Sequence, residues 1–206
     1  MNIHEMPDSF WKDTREEALD REKISPILIK FNKTYTSYSK QHRLYALTLT
    51  ARESYVRNSG IWFNDDSRER LINRLYHQLE HRLSSHAQKN YWRPIHSNKR
   101  MFSLGFIEHM SKGSKKRVAP HIHATIAIHN DWHDKVLGCF ERNPCRDHYS
   151  LRSEHFSGNA WAELEKRVGS IRLERIYDSY KWNCYGGKNL DNNYQGSFVM
   201  TTGLAP

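Results

Sequence analysis

The chain has 206 residues, of which 37% are hydrophobic, and this content excludes wholesale disorder and suits one packed domain. It lacks the run of about 18 apolar residues that a membrane span needs, so no membrane is expected among its partners. The 32 Lys and Arg outnumber the 23 Asp and Glu, which gives a net charge of +9. With 12% aromatic residues, this balance fits a single-stranded nucleic acid, although a charge that only keeps the protein in solution is the competing interpretation.

The cysteines and the N-terminus bear on the cellular location. Three cysteines, Cys139, Cys145 and Cys184, show no Cys-x-x-Cys spacing, so a disulfide scaffold is not expected and a reducing compartment is. The first residues are acidic and polar, without the basic start and apolar stretch of a signal peptide. A cytoplasmic protein is therefore predicted.

The predicted elements begin after a polar appendage, residues 1–42, which holds a short helix at 14–23. Alternation and strand-forming residues predict strands at 43–50, 101–108, 121–129 and 170–177. Periodic apolar residues predict a long amphipathic helix at 65–84, and weaker patterns predict helices at 131–140, 160–168 and 179–188. Residues 112–117 form a basic loop, and residues 141–157 are polar and loop-like.

This order predicts one α+β domain over residues 43–206. Two of its strands flank the basic loop and so form a hairpin, which favours an antiparallel sheet. Helices between the strands then pack mainly on one face of that sheet. The other face is left for a functional site.

The strand at 121–129 carries the strongest chemical signal. Because strand side chains alternate, His121, His123 and His129 share one face with Thr125 and Ala127, while the opposite face is purely apolar. His121 and His123 lie about 7 Å apart at their Cα atoms, so both imidazoles can reach one divalent cation. The alternative is a half-buried strand whose histidines merely face water.

Glu108 supplies a third candidate ligand. It ends the strand that precedes the basic loop, and hairpin pairing places it beside the histidine strand. Two imidazoles and one carboxylate accept Mg²⁺ or Mn²⁺ in open coordination, which leaves room for a phosphate oxygen. His129 is expected to lie outside this ligand set, because it is too far along the strand.

A tyrosine-rich segment at 177–188 holds a candidate nucleophile. If the segment is helical, Tyr185 and Lys188 share a face and Lys181 lies one turn earlier. A lysine beside a phenol favours the phenolate and can bind a phosphate. The alternative is a helix with aromatic residues packed in the core, and Gly186 and Gly187 argue against a regular helix at its end.

Taken in order, these residues resemble the HUH endonucleases (His-hydrophobic-His), specifically the small rolling-circle replication initiators. Three motifs carry the resemblance over residues 43–190: Tyr45-Ala-Leu-Thr-Leu-Thr50, His121-Ile-His123 with Glu108 upstream, and Tyr185-Gly-Gly-Lys188. The resemblance implies a ferredoxin- or RRM-like palm of about five antiparallel strands with the histidine pair on a central strand. The long separation between the second and third motifs suggests an insertion around 141–157.

The resemblance also implies a mechanism. Tyr185 attacks a phosphodiester of single-stranded or hairpin origin DNA, which leaves a 5′-phosphotyrosine and a free 3′-OH, and Lys188 assists at the phosphate or the metal. Tyr180 and Tyr177 are the fallback nucleophiles. The expected DNA contacts are Lys112, Lys115, Lys116, Arg117 and Lys181.

The element that uses such an enzyme follows by the same analogy. Because the sequence has no Gly-x-x-x-x-Gly-Lys-Ser/Thr motif, no helicase domain is expected, and a host helicase and polymerase become partners. Replication of a phage or plasmid in a bacterial cytoplasm is the favoured setting. A single-tyrosine transposase of the same superfamily is the first alternative.

Two alternatives come from other classes of protein. A two-histidine phosphoesterase would use His123-Ala-Thr125 and His155-Phe-Ser157, although the second triplet lies in a polar, non-strand context. A non-catalytic DNA-binding module would hold structural zinc through His133, Cys139, Cys145 and His148. The spacing of its two cysteines is atypical for such a site.

Overall fold

A computed structural model describes residues 40–110, 116–143, 148–151, 159–176 and 198–201 of the chain. Seven strands form one sheet: β1 (His42–Ala51), β2 (Phe102–Met110), β3 (Arg117–His129), β4 (Phe140–Arg142), β5 (Tyr149–Leu151), β6 (Val168–Arg175) and β7 (Phe198–Thr201). Their order is β4-β5-β6-β1-β3-β2-β7, and every neighbouring pair is antiparallel. The predicted α+β class with an antiparallel sheet is confirmed, although the strands number seven rather than about five.

Within the described residues, four α-helices pack against one face of this sheet. They are α1 (Glu53–Asn58), α2 (Asp65–Ala87), α3 (Asn130–Gly138) and α4 (Asn159–Arg167), and each contributes side chains to a single core. The sheet contributes one alternating set, such as Leu47 and Leu49 of β1 opposite Ala124 and Ile122 of β3. The apolar face of β3 is therefore the core face, as its alternation predicts.

The long helix α2 confirms the clearest sequence pattern. Asn64 caps it by accepting a hydrogen bond from the backbone N–H of Ser67 at 2.8 Å. Its buried hydrophobic residues recur mainly at three- and four-residue spacing along one face, and they are Leu71, Ile72, Leu75, Tyr76, Leu79, Leu83 and Ala87. Arg68 is also buried there, and its guanidinium donates to the Val118 carbonyl and to Asp65. That cation therefore ties α2 to β3.

Several element boundaries differ from the predictions. The helix predicted at 131–140 ends at Gly138, because Phe140 already pairs with Leu151 in the β4–β5 hairpin. The predicted loop at 141–157 therefore contains all of β5 and the end of β4, and each of these strands has only three residues, too few to show a period. Arg117, predicted as the last residue of the basic loop at 112–117, instead begins β3 and pairs with Met110.

Further elements lacked a clear sequence signal. The helix α1, the strand β7 and a 3-10 helix at Pro94–Lys99 were not predicted. The strand predicted at 170–177 begins at Val168 instead, directly after α4. The predicted helices at 14–23 and 179–188 lie outside the described residues.

Candidate metal centre

The pairing of β2 with β3 assembles a carboxylate and two imidazoles. Glu108 lies directly opposite His121 in this register, and His123 follows on the same face of β3. Oε2 of Glu108 is 3.3 Å from Nε2 of His121 and 4.0 Å from Nε2 of His123. The candidate ligand atoms of the three residues all lie within 4.8 Å of one another. The group expected from the sequence is therefore brought together.

The Nδ1 atoms of both histidines face other partners, and this orients their rings. Nδ1 of His121 donates to the Ala119 carbonyl at 3.1 Å, because a carbonyl oxygen can only accept. Nδ1 of His123 lies 3.1 Å from Oγ1 of Thr48, which can accept its proton. With the proton on Nδ1, each Nε2 keeps a lone pair on the side of Glu108. Metal-binding histidines in proteins are held by hydrogen bonds of this kind.

The group is sheltered but reachable. The side chain of Glu108 is 9% exposed, that of His123 is 14% exposed and that of His121 is 19% exposed. The two imidazoles stand edge to face, with ring centroids 5.0 Å apart. A partly buried carboxylate beside two imidazoles favours a divalent cation, because the cation compensates the buried negative charge. The group could hold a metal ion, and its chemistry does not define which one.

Polar residues of neighbouring strands extend the same face of the sheet. Thr48 of β1 pairs with His123 on one side and with Arg172 of β6 on the other. Two strand spacings therefore place Arg172 roughly 10 Å from His123 at the Cα atoms. Arg172 is exposed, so its guanidinium can meet an anion beside the metal group. Sequence reasoning missed Arg172, although the alternation of β6 could have placed it on the polar face.

His129 belongs to a different environment, as the sequence predicts. Its Nδ1 accepts a hydrogen bond from the backbone N–H of Asp131 at 3.1 Å and so caps α3. Burial lowers the pKa of His129, and the nearby Asp131 opposes that shift. This residue is not part of the Glu108–His121–His123 group.

Most of the residues predicted to act in catalysis or to contact DNA lie outside the described residues. They are Tyr177, Tyr180, Lys181, Tyr185, Lys188, Lys112 and Lys115. Two predicted DNA contacts, Lys116 and Arg117, are among the described residues, and Lys116 is exposed. Arg117 instead forms an ion pair with Asp65, donates to the Trp62 carbonyl at 3.3 Å and lies over the Phe63 ring. Its charge is thus partly neutralised within the protein.

Two described members of the alternative zinc site, His133 and Cys139, make other contacts. Nε2 of His133 accepts a hydrogen bond from the Tyr45 hydroxyl at 2.7 Å, and its Nδ1 donates to Asp134 at 2.8 Å. Burial raises the pKa of the Cys139 thiol to about 11, and that thiol donates to the Lys135 carbonyl. Zinc needs a thiolate, so the environment of Cys139 disfavours it. Cys145 of this set, and His155 and Ser157 of the phosphoesterase alternative, lie outside the described residues.

Comparison with known proteins identified no match to this chain. No protein-family model, curated protein or solved structure matches this chain. Within the described ranges, no helix is both long enough and apolar enough to cross a membrane.

Proposed function

We propose that this chain is a metal-dependent endonuclease of the HUH type, which cuts and rejoins single-stranded DNA through a tyrosine. The observation that carries the proposal is the convergence of two Nε2 atoms on the Glu108 carboxylate, with Thr48 and a backbone carbonyl orienting the rings. The partial exposure of His121 and His123, at 19% and 14%, supports it, because a phosphate group can reach these side chains from solvent.

The residues present divide the chemistry between them. His121, His123 and Glu108 would bind Mg²⁺ or Mn²⁺, which supplies Lewis-acid polarisation of the scissile phosphate. Tyr185 attacks the phosphorus through its phenolic oxygen, so a P–O bond to tyrosine forms while the O3′–P bond breaks. The phenol loses its proton and the departing O3′ takes one up, so the products are a 5′-phosphotyrosine and a 3′-OH. Arg172 offers its guanidinium to a phosphate oxygen beside the metal group.

Reversibility links this reaction to a biological role. The phosphotyrosine bond retains the energy of the phosphodiester, so a later 3′-OH can attack it and restore a continuous strand. Such nicking and rejoining serves a rolling-circle replication initiator of a phage or plasmid in a bacterial cytoplasm, with a host helicase and polymerase. A single-tyrosine transposase would use the same chemistry on a different DNA.

Covalent trapping tests the proposal directly. The protein is incubated with a pool of end-labelled single-stranded DNA and Mn²⁺ and separated on a denaturing gel, where an adduct migrates with the protein. We expect an adduct with the wild type and its loss in Tyr185→Phe and in His123→Ala. The matched controls are Tyr55→Phe and His77→Ala, since Tyr55 and His77 lie outside the metal group. Both control variants should still form the covalent adduct.

The trapping experiment distinguishes a wrong choice of nucleophile from a wrong class of enzyme. An adduct that survives Tyr185→Phe but disappears in Tyr180→Phe or Tyr177→Phe keeps the enzyme class and moves the nucleophile. The absence of an adduct with any DNA or any divalent metal, despite tight DNA binding, would overturn the endonuclease.

A further inference from the structure

The connection between α2 and β2, residues 88–101, combines positive charge with exposed apolar side chains. From residue 81 to residue 107 the chain has no Asp or Glu, but it has five Lys or Arg and three His. Residues 88–101, called the basic connection below, hold four of these five cations. Like charges gathered without acids on a surface create a positive potential that attracts an anionic partner.

Two large apolar side chains project from the basic connection into solvent. Trp92 is 57% exposed and Ile95 is 78% exposed, and the 3-10 helix that contains Ile95 buries none of its residues. Lys89 and Arg93 flank Trp92 in sequence, and both are exposed. An indole ring in water between two cations offers a stacking surface beside two phosphate-binding groups.

The backbone around Trp92 is held in one conformation. The Arg100 guanidinium donates to the carbonyls of Tyr91, Trp92 and Arg93, so it clamps three successive peptide groups. The hydroxyl of Tyr91 lies 2.8 Å from Nδ1 of His81, and the Tyr91 ring meets the Trp92 ring edge to face at 5.6 Å. These contacts restrain the segment that carries the ring, which lowers the conformational entropy lost when a ligand binds to it.

The charges beside Trp92 are available to a partner. Lys99 forms an ion pair with Asp131 at 2.6 Å, so its charge is used within the protein. No ion pair of Lys89 or Arg93 is found in the part of the chain that the structure describes. These two cations therefore differ from Lys99 and can bind an external anion.

We propose that the basic connection is a second contact for single-stranded DNA, in which a base stacks on Trp92 while Lys89 and Arg93 bind the flanking phosphates. The inference rests on the proposed function for the identity of the ligand. A duplex does not fit equally well, since its base faces are covered by neighbouring bases. A membrane surface is disfavoured, because the connection lacks a long amphipathic helix.

The contact lies well away from the metal group. The pairs Phe102–Ala127 and Glu108–His121 are separated by about 20 Å along β2, and the basic connection lies beyond Phe102. A DNA strand that occupies both places must extend across the sheet for several nucleotides. Binding at Trp92 can therefore be measured without cleavage.

The test measures the affinity of full-length protein for fluorescently labelled oligothymidine by anisotropy, in EDTA and at several NaCl concentrations. We expect Trp92→Ala to weaken binding by about 5- to 100-fold, because stacking on an aromatic ring contributes on this scale. The double variant Lys89→Ala/Arg93→Ala should reduce the slope of log affinity against log salt by roughly 1.4, since two phosphates lose their partners.

Matched variants separate the contact from general effects. Trp92→Phe keeps an aromatic ring and should retain most of the affinity. Phe63→Ala removes another exposed aromatic ring, at 79% exposure, and Lys166→Ala removes a lysine on α4; both should bind within twofold of the wild type. Because Trp92 is exposed, the thermal midpoint of Trp92→Ala should equal that of the wild type.

Two results would overturn the inference. One is Trp92→Ala binding oligothymidine as tightly as the wild type. The other is Trp92-dependent binding to vesicles of anionic phospholipid with unchanged DNA affinity, which would assign the surface to a membrane. Trp92-dependent DNA binding without any covalent adduct would retain this contact and remove the endonuclease, so the two proposals fail separately.

Discussion

The hydroxyl of Thr48 shows how one residue can determine the chemistry of another. It lies 3.1 Å from Nδ1 of His123, on the side of the ring that faces away from Glu108. If Nδ1 carries the proton, Nε2 keeps its lone pair for a metal, whereas a ring without this partner can rotate or change tautomer. The strand motif that contains Thr48 therefore acts on the metal site through the histidine.

At the residue scale we predict that Thr48→Val lowers the affinity for Mn²⁺ by about 10-fold. The substitution keeps the shape of the side chain but removes the oxygen that can accept from Nδ1 of His123. Calorimetric titration with Mn²⁺ measures the change. Thr50→Val is the control, because Thr50 lies opposite His121 on the same face and makes no hydrogen bond to either histidine among the described contacts. Equal affinities for the wild type and Thr48→Val would refute the orienting role.

At the element scale, the β2–β3 hairpin depends on a position without a side chain. A Cβ built on Gly105 would lie 2.5 Å from Cδ1 and 2.8 Å from Cγ1 of Ile122. Ile122 is fully buried and stands between His121 and His123 on β3. Relief of this clash requires the Ile122 side chain, which stands between the two imidazoles of β3, to change its packing in a filled core.

We predict that Gly105→Ala lowers the free energy of unfolding by about 1–3 kcal/mol, as overpacking of a filled core does. Urea denaturation monitored by circular dichroism measures the loss, and Mn²⁺ titration should show weaker binding in the same variant. Gly138→Ala is the matched control, because nothing lies within 4 Å of its added Cβ and the residue ends a helix. A Gly105→Ala protein as stable as Gly138→Ala would contradict the packing argument.

At the scale of the whole molecule, a cation bound by the Glu108–His121–His123 group would add to the stability of the folded chain. Its candidate ligands lie on β2 and β3, and Thr48 lies on β1, so three adjacent strands contribute side chains to the group. A cation bound there is bound by the folded chain, since unfolding separates the ligands. Metal binding and folding are therefore coupled.

We predict that Mn²⁺ at 100 times its dissociation constant raises the free energy of unfolding by about 2.7 kcal/mol. Scanning calorimetry with and without Mn²⁺ measures the rise in thermal midpoint, and EDTA should reverse it. His121→Ala should lose the rise, whereas His77→Ala on the exposed face of α2 should keep it. A thermal midpoint insensitive to Mn²⁺ in the wild type would mean that the group binds no such metal.

Periodic patterns in the sequence predicted which faces of β3 and α2 are buried. Alternation along β3 separates the apolar face of Ile122 and Ile126 from the histidine face, and the three- and four-residue spacing of α2 predicts the face it buries. The position of Glu108 also follows from the sequence, because a hairpin joins neighbouring strands. Such signals depend on residues that are close along the chain, so they can be read without a structure.

Contacts between distant segments were decided only by the tertiary structure. Thr48 meets His123 and Arg172 joins the same face because β1 pairs with both β3 and β6, which are remote from it in sequence. The three-residue strands β4 and β5 form because each finds a partner, and their own residues show no period. The exposure of Trp92 and the hydrogen bond from Arg100 to its carbonyl likewise could not be read from the sequence. Sequence thus determined which faces exist, and pairing across the sheet decided which side chains meet on them.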